Sequence, residues 1–240
     1  MNLSADEERL MQSGVQKREK LTLEERLNVV RAGVLGANDG VLTVVGVLFS
    51  VGAATNNSFT LLIAGVSDLL ACALSMASGE YASVSSQSDA EKVVVQKEAQ
   101  RIKEQPELVE NDLQEFYEGR GVAKQTANLI AKDLMNKQPL TAILGTKYDV
   151  QLGHYVNPWE AAFSSMICAA LAGLVPLLSM VLLSRTKGML VAILATTIAS
   201  AIIGWASAKL GKGFVRKSVI RNIIIGLLTI TIHYGIGLLF

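Results

Sequence analysis

Residues 68, 72, 76 and 80 read Asp, Cys, Met and Glu within an otherwise apolar stretch. Four-residue spacing places neighbours in this series on one helical stripe. Each step advances about 400°, so the stripe drifts by only about 40° per step. Carboxylates and sulfurs therefore share one strip of a helix whose other faces suit lipid or neighbouring helices. An ionisable side chain at the middle of a membrane helix costs roughly 2.5–3.5 kcal/mol on insertion scales, so such groups face a bundle interior or a watery path. Hard oxygen beside soft sulfur is also the donor mix that suits a borderline transition metal.

The elements that would carry this stripe are legible in the hydropathy. The chain has 240 residues, 50% of them hydrophobic, and a mean hydropathy of +0.38. Its charges concentrate in residues 1–31, 86–149 and 209–221, and the rest forms long apolar blocks. That is the pattern of a polytopic membrane protein rather than a soluble domain. The net charge of +1 averages unlike parts and points to no partner class. Cys72 and Cys168 both fall inside apolar blocks, against a disulfide framework or a zinc motif. The first 28 residues are charged and hold no apolar core, so the first apolar block is expected to act as an uncleaved anchor.

Five blocks are long enough to cross roughly 30 Å of hydrocarbon. They run approximately over 32–53, 60–84, 158–184, 188–208 and 218–240. Gly36 and Gly40 in the first make a GxxxG step, which suits either packing within the chain or a dimer seam. Thr22 and Glu25 fit a capping box ahead of the first span, and residues 22–31 read as an interfacial amphipathic segment. Asn157, Pro158 and Glu160 mark the start of the third span, with Trp159 at an interfacial position. The N-terminal flank carries Lys17, Arg18, Lys20, Arg26 and Arg31, and the 209–221 loop carries Lys209, Lys212, Arg216, Lys217 and Arg221. The 54–59 loop carries no charge. The positive-inside rule then places the N-terminus, residues 85–157 and the 209–221 loop in the cytoplasm. The expected organisation is a segment 1–31, spans one and two over 32–84, a helical insert over 85–157, and three spans over 158–240.

The insert reads as three short helices, near 89–104, 106–118 and 122–136, with little core of its own. Between residues 98 and 118 it carries Glu98, Glu104, Glu107, Glu110, Asp112, Glu115 and Glu118 against Arg101 and Lys103. Paired carboxylates on facing helices can hold divalent metals, and a solvated acidic face has the same composition. Met135, Asp149 and His154 are further candidate ligands without motif spacing. Within the spans, Asp39 is either an interfacial carboxylate or a path ligand, and Met76 alone would be core packing. His233, beside Tyr234, is either a proton relay or a structural histidine. A carboxylate in a dry path holds its proton more tightly unless a cation neutralises it. One site can then trade a metal ion for a proton, which suggests antiport. No phosphate loop, zinc signature or nucleophile elbow is visible, so neither an enzyme nor a nucleic-acid binder is expected.

Two blocks are specific enough to resemble a known family. Gly36-Ala-Asn-Asp-Gly40 and Leu74-Ser-Met-Ala-Ser-Gly-Glu-Tyr-Ala-Ser-Val-Ser-Ser-Gln87 resemble the signature blocks of the vacuolar iron transporter family. The five-span plan with an insert after span two is similar as well. The resemblance implies a homodimer whose first two spans line a path, and export of cytosolic Fe2+, often Mn2+, against protons. It puts Asp39 and Met76 on the path, with Asp68 and Glu80 beside them. It implies metal binding in the insert through glutamates, here matched to Glu98, Glu107 and Glu110, with Met135 near a third-helix methionine. Arg101 and Gln138 stand where acids are usual, which weakens that second site.

The resulting expectation is an all-α membrane protein, a proton-coupled exporter of divalent metal that needs no cofactor, in a bacterial or archaeal inner membrane. A membrane-tethered metal sensor or buffer is the rival. A ferritin-like oxidase would need Glu-x-x-His pairs that the insert lacks.

Overall fold

The computed structural model describes residues 3–12, 23–153 and 157–239, and among them the regular structure is entirely helical. Among the described residues nine α-helices follow in order: α1 Ala5–Gln12, α2 Leu23–Ala54, α3 Ser58–Glu104, α4 Pro106–Gly119, α5 Lys124–Lys137, α6 Pro139–Ile143, α7 Pro158–Leu182, α8 Arg185–Leu210 and α9 Val215–Gly237. A π-helical turn, Leu144–Tyr148, continues α6. Five of the helices, α2, α3, α7, α8 and α9, are long and apolar enough to span a bilayer. Thr22, Lys17, Arg18, Lys20 and His154, singled out from the sequence, lie outside the described residues.

The chain divides into two compact units. One comprises residues 22–84 and 157–240, the other residues 1–21 and 85–156. The boundary falls inside α3, which is one helix of 47 residues rather than a span followed by a separate insert helix. No proline interrupts residues 60–104, and side-chain pairs at helical spacing support the crossover region. Gln87 donates to Glu91 at 3.0 Å and Lys92 to Asp89 at 3.2 Å.

In the unit holding the spans, packing depends on small residues. Gly33 of α2 lies against Ser164 and Cys168 of α7, Gly36 against Ser165, and Gly40 against Ala169. A Cβ on Gly36 or Gly40 would collide with a carbonyl oxygen of α7. The GxxxG step is therefore used inside the protomer, as the seam between α2 and α7, and not as a seam between copies. Gly40→Ala is expected to lower the stability of the full chain by about 1–3 kcal/mol, the usual range for overpacking a close-packed interface. Gly79 has no neighbour within 4 Å of an added Cβ. Gly79→Ala is accordingly expected to be neutral or stabilising by up to about 1 kcal/mol. Thermal melts of the two variants in the same detergent check the contrast.

The outer surface of this unit is apolar. Leu70, Leu74, Leu171, Leu194, Ile198 and Ile224 are each more than half exposed. The interior, by contrast, buries Ser165, Thr196, Ser200 and Ser218. That distribution suits hydrocarbon as solvent. The start of α7 follows the sequence: Asn157 Oδ1 accepts from Trp159 N–H at 3.1 Å, and Pro158 occupies the first turn. Glu160 accepts from the Asn157 side-chain amide at 3.2 Å.

The second unit is built on a core of Val95, Ala99, Ile102, Val109, Leu113 and Met135 with neighbours from α6 and the π turn. Helix α1 belongs to it through Leu10 and Met11, with Leu3 just before the helix in the same core. Its start is a reciprocal capping box: Ser4 N–H donates to Glu7 Oε2 at 3.1 Å and Glu7 N–H donates to Ser4 Oγ at 3.3 Å. Glu7 is nearly inaccessible, and its Oε1 accepts from the Thr141 backbone N–H at 2.9 Å and from its hydroxyl at 3.1 Å. A buried carboxylate thus satisfies exposed donors at two helix starts.

Candidate functional site

Helix α3 turns a narrow face inward. Gly65, Leu69, Cys72, Ala73 and Val84 are buried, Asp68, Met76 and Glu80 are half-buried, and Ser67, Leu70, Ala71, Leu74 and Ser75 are exposed. The polar stripe read from the sequence is therefore on the covered side. Half-buried Asp39 on α2 meets it: Cys72 Sγ–H donates to Asp39 Oδ2 at 3.3 Å. Thr43, one turn beyond Asp39, also faces Cys72 and Asp68. Asp68 has Asp39 and His233 of α9 as its charged or ionisable neighbours. Its Oδ2 and Thr43 Oγ1 are buried without a hydrogen-bond partner. Unsatisfied buried oxygens are uncommon and mark places where an ion, a proton or water belongs.

His233 is held by its own helix and by α2. Its Nδ1 lies 2.9 Å from the Thr229 carbonyl. A carbonyl can only accept, so Nδ1 carries the proton and Nε2 keeps its lone pair when the ring is neutral. Gly46 of α2 gives the ring room, since a Cβ there would lie 2.9 Å from Cδ2. Ser50 Oγ donates to the His233 carbonyl at 2.7 Å, and Tyr234 packs edge-on against Phe49 with ring centroids 6.4 Å apart. Met76 lies with Cys72 and Ala73 against Met166 and Ala170 of α7. Glu80 precedes Tyr81, whose ring meets Trp159 at 4.7 Å in an aromatic group that includes Phe163. Sequence spacing put Cys72 on the stripe, but the contact to Asp39 and the approach of His233 are tertiary facts.

One chain offers Asp39 and Cys72 as adjacent donors. With metal–oxygen and metal–sulfur distances of about 2.1 and 2.3 Å, atoms 3.3 Å apart would subtend about 97° at an ion, a workable angle. Among the described residues no three His, Cys, Asp or Glu side chains converge closely enough to hold a metal. An ion at this pair would take its other ligands from water or from a second copy.

The insert candidates are arranged differently. Glu98 is 1% exposed and already has partners. Its Oε1 accepts from Tyr148 O–H at 2.7 Å, and its Oε2 from Arg101 at 3.3 Å. Arg101 also reaches Asp112 of α4 at 2.7 Å, and Lys147 reaches the same carboxylate at 2.9 Å. The π turn makes this possible by presenting Lys147 and Tyr148, adjacent in sequence, to two different helices. Met135 lies in the apolar core at 2% exposure. Glu107 is exposed at the start of α4 and Glu110 is half-buried. Among the described residues Glu98, Glu107 and Glu110 form no group of three that could hold a metal ion, and Met135 belongs to the apolar core. A guanidinium occupies the carboxylates of α3 and α4 instead.

The charges reinforce one another. The hydrogen bond from Arg101 holds the Asp112 carboxyl below its ordinary range, against the effect of burial and with help from Lys147. The same hydrogen bond raises Arg101, and burial followed by the bond to Glu98 raises the Tyr148 phenol. A depressed carboxyl contributes stability that is complete above its unfolded value of about 3.9 and is lost as pH falls through the folded value. Asp112→Asn is therefore expected to cost about 1–2 kcal/mol at pH 7. The gap to the parent chain should close below about pH 4. Melts of the full chain across that range check it, and a pH-independent gap would show the ion pairs to be idle.

Comparison with known proteins follows the same lines. The model of the VIT family matches residues 30–238. A vacuolar iron transporter of Acanthamoeba castellanii is 38% identical over 149 residues, 62% of this chain and 54% of the relative. The match thus spans about half the length of that protein. Vacuolar iron transporter homolog 3 of Arabidopsis thaliana is 31% identical over 212 residues, 88% of this chain and 82% of its own. Homolog 2.1 of the same plant is 28% identical over 221 residues, 92% and 85% of the two chains. These relatives come from an amoeba and a plant, and they lend no support to a bacterial or archaeal membrane for this chain. The match over nearly all of the spanning helices, joined to the five-helix plan, is decisive: the chain belongs to the VIT family.

Proposed function

We propose that this protein exports a divalent transition metal, Fe2+ and/or Mn2+, from the cytosol in exchange for protons, working as a homodimer. The observation that carries the reading is the meeting of Asp39 and Cys72, with Asp68, Thr43 and His233 around them, inside an otherwise apolar helical unit. Carboxylates there are expensive unless a cation or proton neutralises them, which couples the two ions by exclusion. Oxygen and sulfur side by side favour Fe2+ and Mn2+ over Ca2+ or Mg2+. The names of the relatives, vacuolar iron transporters and their homologs, support metal as the cargo. In this reading Asp39, Asp68, Met76 and Glu80 form the path on each copy. Among the described residues one chain gathers no three ligating side chains, which supports a second copy as the source of the missing donors. Lys and Arg flanking α2 and between α8 and α9 support a cytosolic N-terminus and a cytosolic second unit.

The test is flux. Purified protein in liposomes under an imposed pH gradient should move Fe2+ and/or Mn2+ with opposite movement of protons, followed by a luminal metal dye and a luminal pH dye. Metal binding without flux of either ion would favour the sensor or buffer and sink the exporter.

A further inference from the structure

At the end of the spanning unit where α2 begins, α8 ends and α9 begins, two cavities and a shallow face adjoin. The first, about 440 Å³, lies between α2 and α8, with Leu27, Val34, Leu35 and Leu210 as apolar walls and Asn28 and Arg31 as its polar lining. The second, about 290 Å³, shares Ser207 and Gly211 with the first and adds Phe214, Lys217, Ser218 and Arg221. The third is a shallow apolar face of α9 alone, where Ile220, Ile224 and Ile225 adjoin the Lys217 and Arg221 of the second. One apolar groove and one apolar helix face thus adjoin a polar, cationic waist.

Polar groups of the waist and of the adjoining groove are under-satisfied. Ser218 is 8% exposed, and its buried Oγ has no hydrogen-bond partner. Asn28 Oδ1 accepts from Arg31 at 2.8 Å, but its Nδ2 is buried without an acceptor. Helix α9 starts at Val215 with no side-chain cap, so the donors of its first turn are unmatched. Among the described residues no carboxylate pairs with Arg31, Lys217 or Arg221, and the 209–221 segment contains no acid at all. Lys217 lies over the Phe214 ring at 5.1 Å, which holds its ammonium near the waist. Hydroxyl, helix start and paired cations are the set that recognises a phosphate.

We infer that this waist binds the phosphate of an anionic diacyl phospholipid, with one acyl chain in the groove between α2 and α8 and the other along the apolar face of α9. Charge complementarity selects the anionic headgroup, and the apolar surfaces that adjoin the cations favour a lipid over a soluble phosphate. The inference is independent of what the protein transports.

The test uses the full chain in detergent, supplied with phosphatidylglycerol, phosphatidylcholine or inorganic phosphate. Native mass spectrometry should show retained phosphatidylglycerol but not phosphatidylcholine, and phosphatidylglycerol alone should raise Tm. Lys217→Gln with Arg221→Gln should reduce retention at least tenfold. Lys209→Gln with Arg216→Gln, which removes the same charge outside the cavities, should leave it unchanged. Ser218→Ala, which alters no charge, should weaken retention severalfold and serves if the first double variant fails to fold. Equal losses in the two double variants would reduce the site to diffuse attraction. Equal retention of phosphatidylcholine, or the same Tm rise with inorganic phosphate, would also overturn it.

Discussion

Asp39→Asn is expected to reduce metal-driven proton flux by more than about 100-fold, the upper end of what loss of a mere supporting group does at a metal site. The substitution keeps the volume and a hydrogen-bond acceptor for Cys72, whose Sγ lies 3.3 Å from Oδ2. It removes the charge that must be neutralised by turns with metal and with proton. Folding should not suffer, because a neutral amide is cheaper in an apolar bundle than a carboxylate. Asp39 is flanked by Gly36 and Gly40, and their seam with Ser165 and Ala169 does not involve its side chain. Asp68→Asn provides the companion: its Oδ2 is buried and unpartnered, so the amide should leave Tm unchanged or raised while flux falls. A variant of Asp39 with normal flux and normal coupling would remove the path assigned here. A variant that loses flux together with its fold would say only that the position is structural, and the Tm readout separates the two.

The sequence was most informative where local rules act alone. Five apolar blocks became five helices because length and hydropathy suffice to specify a span. Asn157-Pro158 marked the start of α7 because a cap is a matter of adjacent residues. The stripe from Asp68 to Glu80 was found on the covered face of α3 because helical phase carries over directly into space. What was hidden depended on contacts across long separations. The continuity of α3 through residue 85 was missed since a polar segment after an apolar one looks like an ending, although no proline breaks it. The Ser4–Glu7 box carries the S-x-x-E signal and was readable, but that Glu7 reaches Thr141 was not. Nothing in spacing could reveal that Cys72 meets Asp39, that His233 approaches Asp68, or that Gly36 and Gly40 serve α7 rather than a second copy. The acidic run of the insert is the sharpest case. Composition allowed a metal site, whereas the π turn brings Lys147 and Tyr148 onto the same carboxylates that Arg101 binds.

That arrangement makes Arg101→Ala the most disruptive change expected in the second unit. Glu98 is 1% exposed and relies on Arg101 for its Oε2 and on Tyr148 for its Oε1. Removing one partner of a buried ion pair leaves an uncompensated charge and typically costs about 3–5 kcal/mol, well above the worth of the pair itself. The same guanidinium ties α3 to Asp112 of α4, so the loss should also loosen the two helices. Thermal melts of the full chain should fall accordingly, and amide exchange should quicken over residues 85–119 while α7 to α9 keep their protection. Arg101→Lys restores the charge, but its shorter side chain does not bring a nitrogen to the place from which Nη1 serves both carboxylates, so partial rescue is expected. The metal question is decided by the same samples. With the guanidinium in place, Mn2+ should leave amide exchange over residues 85–119 unchanged, whatever it does to the spanning unit, because the cation that Glu98 and Asp112 require is built in. In Arg101→Ala the two carboxylates are freed, and Mn2+ should then recover part of the lost protection. A parent chain in which Mn2+ slows exchange over these residues, with the effect abolished by Glu98→Gln, would instead return the insert to the role of a metal-loaded unit. The guanidinium would then be a partner that the ion displaces.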